Sequence, residues 1–412
     1  MKVLVLGAGA VGTVSALKFV QDAMLEKLVI ADAVSARASH LADRLHDPRV
    51  SSRQLDAGDR AALIEVLRES GTTIVLNAAL PATNIEVMRA CLGASCDYID
   101  LASGGTDDDG IPKLDDQFAL DAEFKAAGRI ALLGMGADPG TTNVYAAYAA
   151  KHLLDEVHEL RVRDGDSSVC QGHDGFVAAF SPWVFIDECL CQAVAYRDGH
   201  YHLERPLTGF EPFDFPELGV LNCYYVDHEE SKTLPRFFPS ARVVDFKLCM
   251  DDVTVETLRV MQRLGLSGKH RVRVGNTSVV PRDVVVSLLP QPKDLAGRMR
   301  GRTCVGTLAR GTKNGYARAF YIYNVADHET AYTELGVQAT AYQTGIPPVI
   351  AARLLRDGCW AGPGVRSPEE FDPDPFLERL AREGMPWHVR DDTASGEVAK
   401  VRIRPSRETV AA

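Results

Sequence analysis

Gly7, Gly9 and Gly12 stand in the pattern G-x-G-x-x-G, with Ala10 and Val11 before the third glycine and Asp32 following 20 residues after it. Such residues can hold a phosphate: a tight turn, a backbone without side chains, and helix-start amides that lack an internal partner. The pattern carries information only where a strand precedes it and a helix follows. Residues 2–6 (KVLVL) read as a short buried strand, 13–22 as a helix, and 27–31 as a second strand leading to Asp32. This is the arrangement of a dinucleotide-binding βαβ unit. In it Gly7 permits the turn, Gly9 lets the backbone approach the pyrophosphate, and Gly12 lets helix and strand pack closely. A carboxylate at Asp32 accepts hydrogen bonds from adenosine ribose hydroxyls and repels a 2′-phosphate, which favours NAD(H); Arg37 leaves NADP open.

A second set of candidates lies further along the chain. Asp138 sits between a predicted strand end and a helix starting near Thr141. It can stabilise a cationic iminium or carry its proton, or else cap that helix and fix the Pro139 turn. Asn143 is a candidate for the cofactor carboxamide or for first-turn packing. His173 and Asp174 lie between Gly172 and Gly175, and Asp187 and Glu188 follow Trp183 and Phe185. A histidine near neutral pKa suits general acid–base work, and paired carboxylates suit a cationic amine. His328 follows Tyr323 and Asn324 at the end of a predicted strand. The catalytic candidates are therefore Asp138, His173, Asp187, Glu188 and His328, each with a structural alternative: a solvated carboxylate or a satisfied histidine. Arg236 and Lys247 could bind a substrate carboxylate, although strand cations usually face solvent.

The elements that must position these groups alternate regularly in the first third of the chain. Helices over 59–70, 81–92 and 116–127 interleave with strands over 73–77, 98–101 and 129–133, which predicts a parallel, doubly wound sheet. Ligands of such sheets lie at the carboxyl ends of the strands. That places Asp56, Ala57, Asn77, Ala78, Ala79, Asp100, Gly136 and Asn143 around the cofactor. Alternation stops near residue 150. Strand-like runs at 160–162, 223–226, 242–248, 270–274, 304–309 and 317–323, with helices over 253–264 and 281–289, predict an α+β domain with a mostly antiparallel sheet. The expected organisation is a Rossmann domain over 1–145, a substrate and dimerisation domain over 146–335, a segment over 336–392 returning to the first domain, and a loosely ordered tail over 393–412.

Composition narrows the function classes. The 412 residues are 46% hydrophobic and 25% charged, as in ordinary soluble proteins, and suffice for two cores. A net charge of −11 argues against nucleic acid as partner. No apolar run approaches the roughly 18–20 residues of a membrane span. The nine cysteines form no C-x-x-C pair, so no metal site is expected and reduced thiols in the cytoplasm are.

Longer motifs go beyond the glycine loop. The stretches 134–145 (GMGADPGTTNVY) and 149–156 (AAKHLLDE) resemble the saccharopine dehydrogenase family, within it most the carboxynorspermidine (carboxyspermidine) dehydrogenases. So do 303–307 (TCVGT), 323–329 (YNVADHE), 344–347 (TGIP), 372–378 (DPDPFLE) and 387–389 (WHV). The resemblance runs from Met1 to about residue 390. It implies a Rossmann domain, an α+β catalytic domain and a homodimer. It also implies hydride transfer between a nicotinamide and a carbon–nitrogen bond of an amino-acid or polyamine adduct. Two features depart from the polyamine enzymes. Those are similar to NADPH users with a small polar residue and an Arg where this chain has Asp32 and Ala33, so at this point the chain resembles the NAD-linked lysine 6-dehydrogenase. The segments 103–117 and 164–191 also match them poorly. Oxidative deamination of a diamino acid and a non-catalytic dinucleotide sensor therefore stand as alternatives.

Overall fold

The computed structural model describes residues 1–104, 114–173 and 175–394. Seven parallel strands form one sheet in the order Gly364–Arg366, Ile130–Leu132, Asp97–Asp100, Ile74–Asn77, Lys2–Leu6, Lys27–Asp32 and Val50–Gln54. Side chains alternate across a strand, so each strand feeds two cores. Val3, Val5, Leu28, Ile30 and Leu76 pack on one face with Val14 and Phe19. Leu4, Leu6, Val29, Ala31 and Val75 pack on the other with Leu63, Leu67 and Val87. This is the doubly wound sheet expected from the sequence.

Three details differ from the sequence reading. The first helix spans Ala10–Val20 and not 13–22, so Gly12 lies inside its first turn. The helix expected over 116–127 is two, Leu114–Phe118 and Asp121–Ala127. The helix Ser35–Leu45 and the edge strand Val50–Gln54 (VSSRQ) complete the unit unannounced, the strand carrying a single apolar residue.

The second sheet has nine strands. Its path runs His200–Glu204, Ala193–Arg197, Val243–Cys249, Glu156–Asp166, Arg302–Lys313, Tyr316–Asp327 and Trp387–Asp391, with the hairpin Glu211–Phe215 and Gly219–Tyr225 branching from Val243–Cys249. Only Val243–Cys249 and Glu156–Asp166 pair in parallel; every other ladder is antiparallel. The carboxyl-terminal part of the chain serves both sheets, since Gly364–Arg366 extends the first and Trp387–Asp391 the second. The helix Ala339–Gly345 lies on the first helix, where a Cβ on Gly345 would come within 2.5 Å of the Val14 Cβ and Ser15 Oγ donates to the Gly345 carbonyl at 2.8 Å. Apart from Thr393 and Ala394, the expected tail lies outside the described residues.

Candidate active site

The glycine loop is built as its spacing requires. A Cβ on Gly12 would sit 1.9 Å from the Gly7 carbonyl oxygen, and one on Gly7, at φ +105°, would sit 2.6 Å from the carbonyl oxygen of Ala78. These contacts bring Ala78 and Ala79 against the loop. Gly9 is exposed, and a Cβ there would meet nothing within 4 Å. The helix Ala10–Val20 has no side-chain cap, so its first amides stay available. Open space beside unclaimed amides fits a dinucleotide pyrophosphate. Asp32 accepts from the Ala8 amide at 2.9 Å and the Val34 amide at 2.8 Å, one on each carboxylate oxygen. Each oxygen keeps a further acceptor position. Asp56 is exposed and closes a local turn onto the Gly58 amide, while Ala57 is buried.

Other expected cofactor ligands face inward. Asp100 is buried and accepts from Gly134 N, Gln117 Nε2, Tyr98 Oη and Asn84 Nδ2, at 2.6 to 3.2 Å. Burial pushes its carboxyl up to about 7 against these donors. Asn77 joins the same network through Asn84 and Tyr98. Asn143 accepts from Gly140 N and donates to Thr233 Oγ1 and Glu369 Oε2, so its amide is committed to packing rather than turned toward a carboxamide. Gly136, its amide bonded to Pro139 O, belongs to the tight loop after the strand Ile130–Leu132.

That loop presents Asp138, whose peptide bond to Pro139 is cis. The helix Thr141–Tyr148 is capped by Asn143, and Asp138 is left for another task. Its carboxyl group shares a hydrogen bond with that of Asp164, from the strand Glu156–Asp166 of the other sheet. Burial and the Asp164 charge raise Asp138 well above the usual carboxylate range, and burial with Asp166 pushes Asp164 up to about 7. Two carboxyls in contact cannot both ionise near neutrality, so the pair holds one proton, on Asp138.

The centre of the site is a residue that the motif reading missed. His228, in the run Asp227-His228-Glu229-Glu230 between the strand Gly219–Tyr225 and the helix Glu230–Phe237, stacks on Phe246 with ring centres 3.8 Å apart. Its Nδ1–H donates to Glu230 Oε2 at 2.5 Å, and Glu230 Oε1 accepts from Thr142 Oγ1 at 2.8 Å. Burial opposes its charge, but Glu230, Glu229 and Asp138 raise the imidazole well above its ordinary value. His228 is a cation. Its Nε2 makes no hydrogen bond among the described residues and is not sealed from solvent. Glu229 accepts from Ser103 N and Oγ; burial opposes its charge, yet His228, Lys232 and these donors keep it below its usual value. His228, Glu229 and Glu230 offer ligand atoms within 4.8 Å of one another, but these contacts already occupy them with each other and with Ser103 and Thr142.

The remaining candidates separate. Asp187 is neutralised by Lys269 at 2.6 Å and Arg282 at 2.8 Å, which outweigh burial and hold its carboxyl below the usual range. Its neighbour Glu188 joins the His228 cluster, where desolvation pushes it up to about 8. His173 contacts the Phe176 carbonyl at 3.2 Å, and Asp174 lies outside the described residues. His328 is buried with both nitrogens engaged, Nδ1 accepting from Ala339 N at 3.0 Å and Nε2 lying 2.5 Å from Ser168 Oγ. Burial lowers its pKa. Such a neutral, doubly bonded ring holds the strand end in place and leaves no nitrogen for substrate. Arg236 binds Asp115, and Lys247 pairs with Glu211 at 2.5 Å. The surface hollows at Leu17, Arg44 and Tyr332 and at Tyr148 and Trp387 contain none of these groups. The His228 cluster lies instead where groups from the two sheets meet, Asp138 from the loop after Ile130–Leu132 and Asp164 from Glu156–Asp166.

The sequence carries matches that decide the family. The model of the saccharopine dehydrogenase NADP binding domain matches residues 3–132, and that of the saccharopine dehydrogenase C-terminal domain matches 136–385. The chain belongs to the saccharopine dehydrogenase family. It is 33% identical over 389 residues to a carboxyaminopropylagmatine dehydrogenase of Synechocystis, covering 94% of this chain and 97% of that protein. It is 34% identical over 410 residues to a carboxynorspermidine synthase of Vibrio cholerae, covering 95% and 97%. In fold it is similar to a saccharopine dehydrogenase (L-Glu forming) of Saccharomyces cerevisiae, with a TM-score of 0.71 over 95% of this chain and 99% of that one, at 16% identity. Among the described residues no helix is long and apolar enough to cross a membrane.

Proposed function

We propose that the protein is an NAD(P)H-dependent reductase that converts the imine of an amino-acid aldehyde and a polyamine-type amine into a secondary amine. The observation that carries this reading is the buried, acid-rich cluster around His228 near the carboxyl ends of the parallel strands. Asp138, Asp164, Glu188, Glu229 and Glu230 surround one imidazolium, a setting for a cationic substrate. The names of the full-length relatives agree with it.

The bound nicotinamide supplies the hydride. The chain's own residues do the rest. Carboxylates around the site favour the protonated imine, which is the better hydride acceptor. Asp138, the protonated member of its pair, carries the proton for the substrate nitrogen, and Asp164 accepts the hydrogen bond that keeps Asp138 oriented. His228, clamped by Glu230 and Phe246, offsets part of the negative charge so that the pair can lose its proton without leaving several adjacent anions uncompensated. Oxidation of an amine adduct runs through the same groups in reverse.

The test is NADH and NADPH oxidation with an amino-acid semialdehyde and a panel of diamines and guanidino-amines. Turnover should require both organic partners. Ammonia release coupled to NAD reduction, with no adduct formed, would replace this reading with oxidative deamination.

NAD(H) is the cofactor we favour, because Asp32, held by two amides at the end of the strand Lys27–Asp32, can accept from ribose hydroxyls and would repel a 2′-phosphate. Asp32→Ser combined with Ala33→Arg is expected to raise kcat/KM for NADPH relative to NADH by about tenfold or more, a change of about 1.4 kcal/mol. A wild-type enzyme that already prefers NADPH would overturn the assignment. We read the working enzyme as a homodimer, as the family resemblance implies, and as cytoplasmic, as its cysteine usage suggests; a monomer mass in sedimentation equilibrium would exclude the dimer.

A further inference from the structure

Asp187 and Glu188 are adjacent carboxylates on the helix Pro182–Leu190, and they are treated in opposite ways. Asp187 has two cations of its own, Lys269 and Arg282, both also near the Trp183 ring. The Glu188 carboxylate makes no hydrogen bond or ion pair among the described residues. Its surroundings are hostile to a negative charge. It lies in the last turn of its helix, at the negative end of the helix dipole, where anions are disfavoured. The Asp227 amide bonds to its backbone carbonyl at 3.3 Å, which sets the acidic run 227–230 beside it. Asp187, Asp227 and Glu229 disfavour its ionisation, and His228, already engaged by Glu230, is the main cation acting on it. It is not sealed from solvent either.

A largely desolvated carboxyl group without its own cation, in the acidic cluster read above as a site for a cationic substrate, lacks a partner that the substrate can bring. We propose that Glu188 receives the far cationic group of the amine substrate, ammonium or guanidinium, so that the site selects diamines over monoamines of equal length. This rests on the reading of the site as an amine site given above. His228 couples to both Glu188 and Asp138, which puts the receiving carboxylate and the proton-carrying pair within one cluster.

The experiment uses the full-length protein with saturating NAD+ and measures binding of 1,4-diaminobutane and butylamine by calorimetry, without turnover. Wild type should bind the diamine at least about tenfold more tightly. In Glu188→Gln that preference should vanish through loss of diamine affinity alone, butylamine binding staying within about twofold. An unchanged ratio in the variant, or no preference in wild type, overturns the proposal. The variant also has a readout that needs no ligand. The Glu188 pKa rises from 4.5 to about 8 on folding, so the folded state binds the extra proton and ionisation costs stability as pH rises through that interval. The glutamine variant should therefore gain thermal stability over wild type from pH 4.5 to about 8 and keep a constant margin above. Should the variant fail to fold, the wild-type preference for the diamine must itself increase through about pH 8, and a flat profile overturns the proposal. A preserved diamine preference in a protein that reduces no imine would sink the reductase reading and leave Glu188 standing; turnover with an unchanged ratio would do the reverse.

Discussion

Asp138→Asn is expected to lower kcat for imine reduction by about a thousandfold, within the range that loss of a positioned general acid produces. The substitution keeps the shape of the side chain and can still donate a hydrogen bond to Asp164, but it has no proton to give. NADH binding, followed by fluorescence titration, should be unchanged, because the loop 134–140 is closed by backbone hydrogen bonds that the change does not touch. A fall in kcat of less than tenfold would remove Asp138 from the proton path. The pH profile adds a signed check. The acid must be protonated, so the rate declines as pH rises through the raised Asp138 value. Burial and then the Asp164 charge hold that value up. In Asp164→Asn the second of these is gone, and the alkaline limb should move to lower pH. A limb that stays in place would mean that the two carboxyls do not act as a pair.

Gly9→Ala should give a folded protein that has lost its nucleotide, with affinity down about a hundredfold or more, equivalent to about 2.7 kcal/mol. The added methyl group meets nothing in the protein, and the backbone there, at φ −79°, suits alanine. It would occupy the space assigned to the pyrophosphate. Gly12→Ala should fail earlier. Its Cβ would lie 1.9 Å from the Gly7 carbonyl oxygen, and that backbone can yield only by opening the loop or lifting the helix off the strand. Thermal melts and NADH titration separate the two variants: unchanged melting with lost binding for Gly9→Ala, lowered melting for Gly12→Ala. Normal NADH affinity in Gly9→Ala would place the pyrophosphate elsewhere.

The parts of the fold legible in the sequence were those with a strong local reason. Residues 2–32 carry a strand, a glycine loop, a helix and a strand in sequence, and each required the next. The strand Val50–Gln54 was invisible because an edge strand exposed to solvent needs no apolar alternation, and V-S-S-R-Q has none. Asp100 ends a strand and Asn143 lies in the first turn of a helix, yet both side chains are bonded inward, since pattern reading locates element ends but does not say which way a side chain turns there. His228 shows the limit most clearly. The run Asp227-His228-Glu229-Glu230 was open to view, yet in sequence it looks like a solvated loop. It becomes a candidate site only because residues from four distant segments, Ser103, Thr142, Asp164 and Phe246, close around it.

The strand Gly364–Arg366 has a consequence for how the molecule comes into being. The nucleotide-binding sheet is begun by residue 2 and completed by residue 366, so a growing polypeptide carries an unfinished sheet edge at Ile130–Leu132 through most of its synthesis. Pairing of such sequence separation forms slowly, because a long loop must close first. Until then the apolar residues that await the helices Ala339–Gly345 and Pro347–Arg356, Val14 of the first helix among them, lack their cover. A fragment ending near residue 150 should be prone to aggregation, and holdase chaperones should matter more for this protein than for one whose nucleotide domain closes on itself.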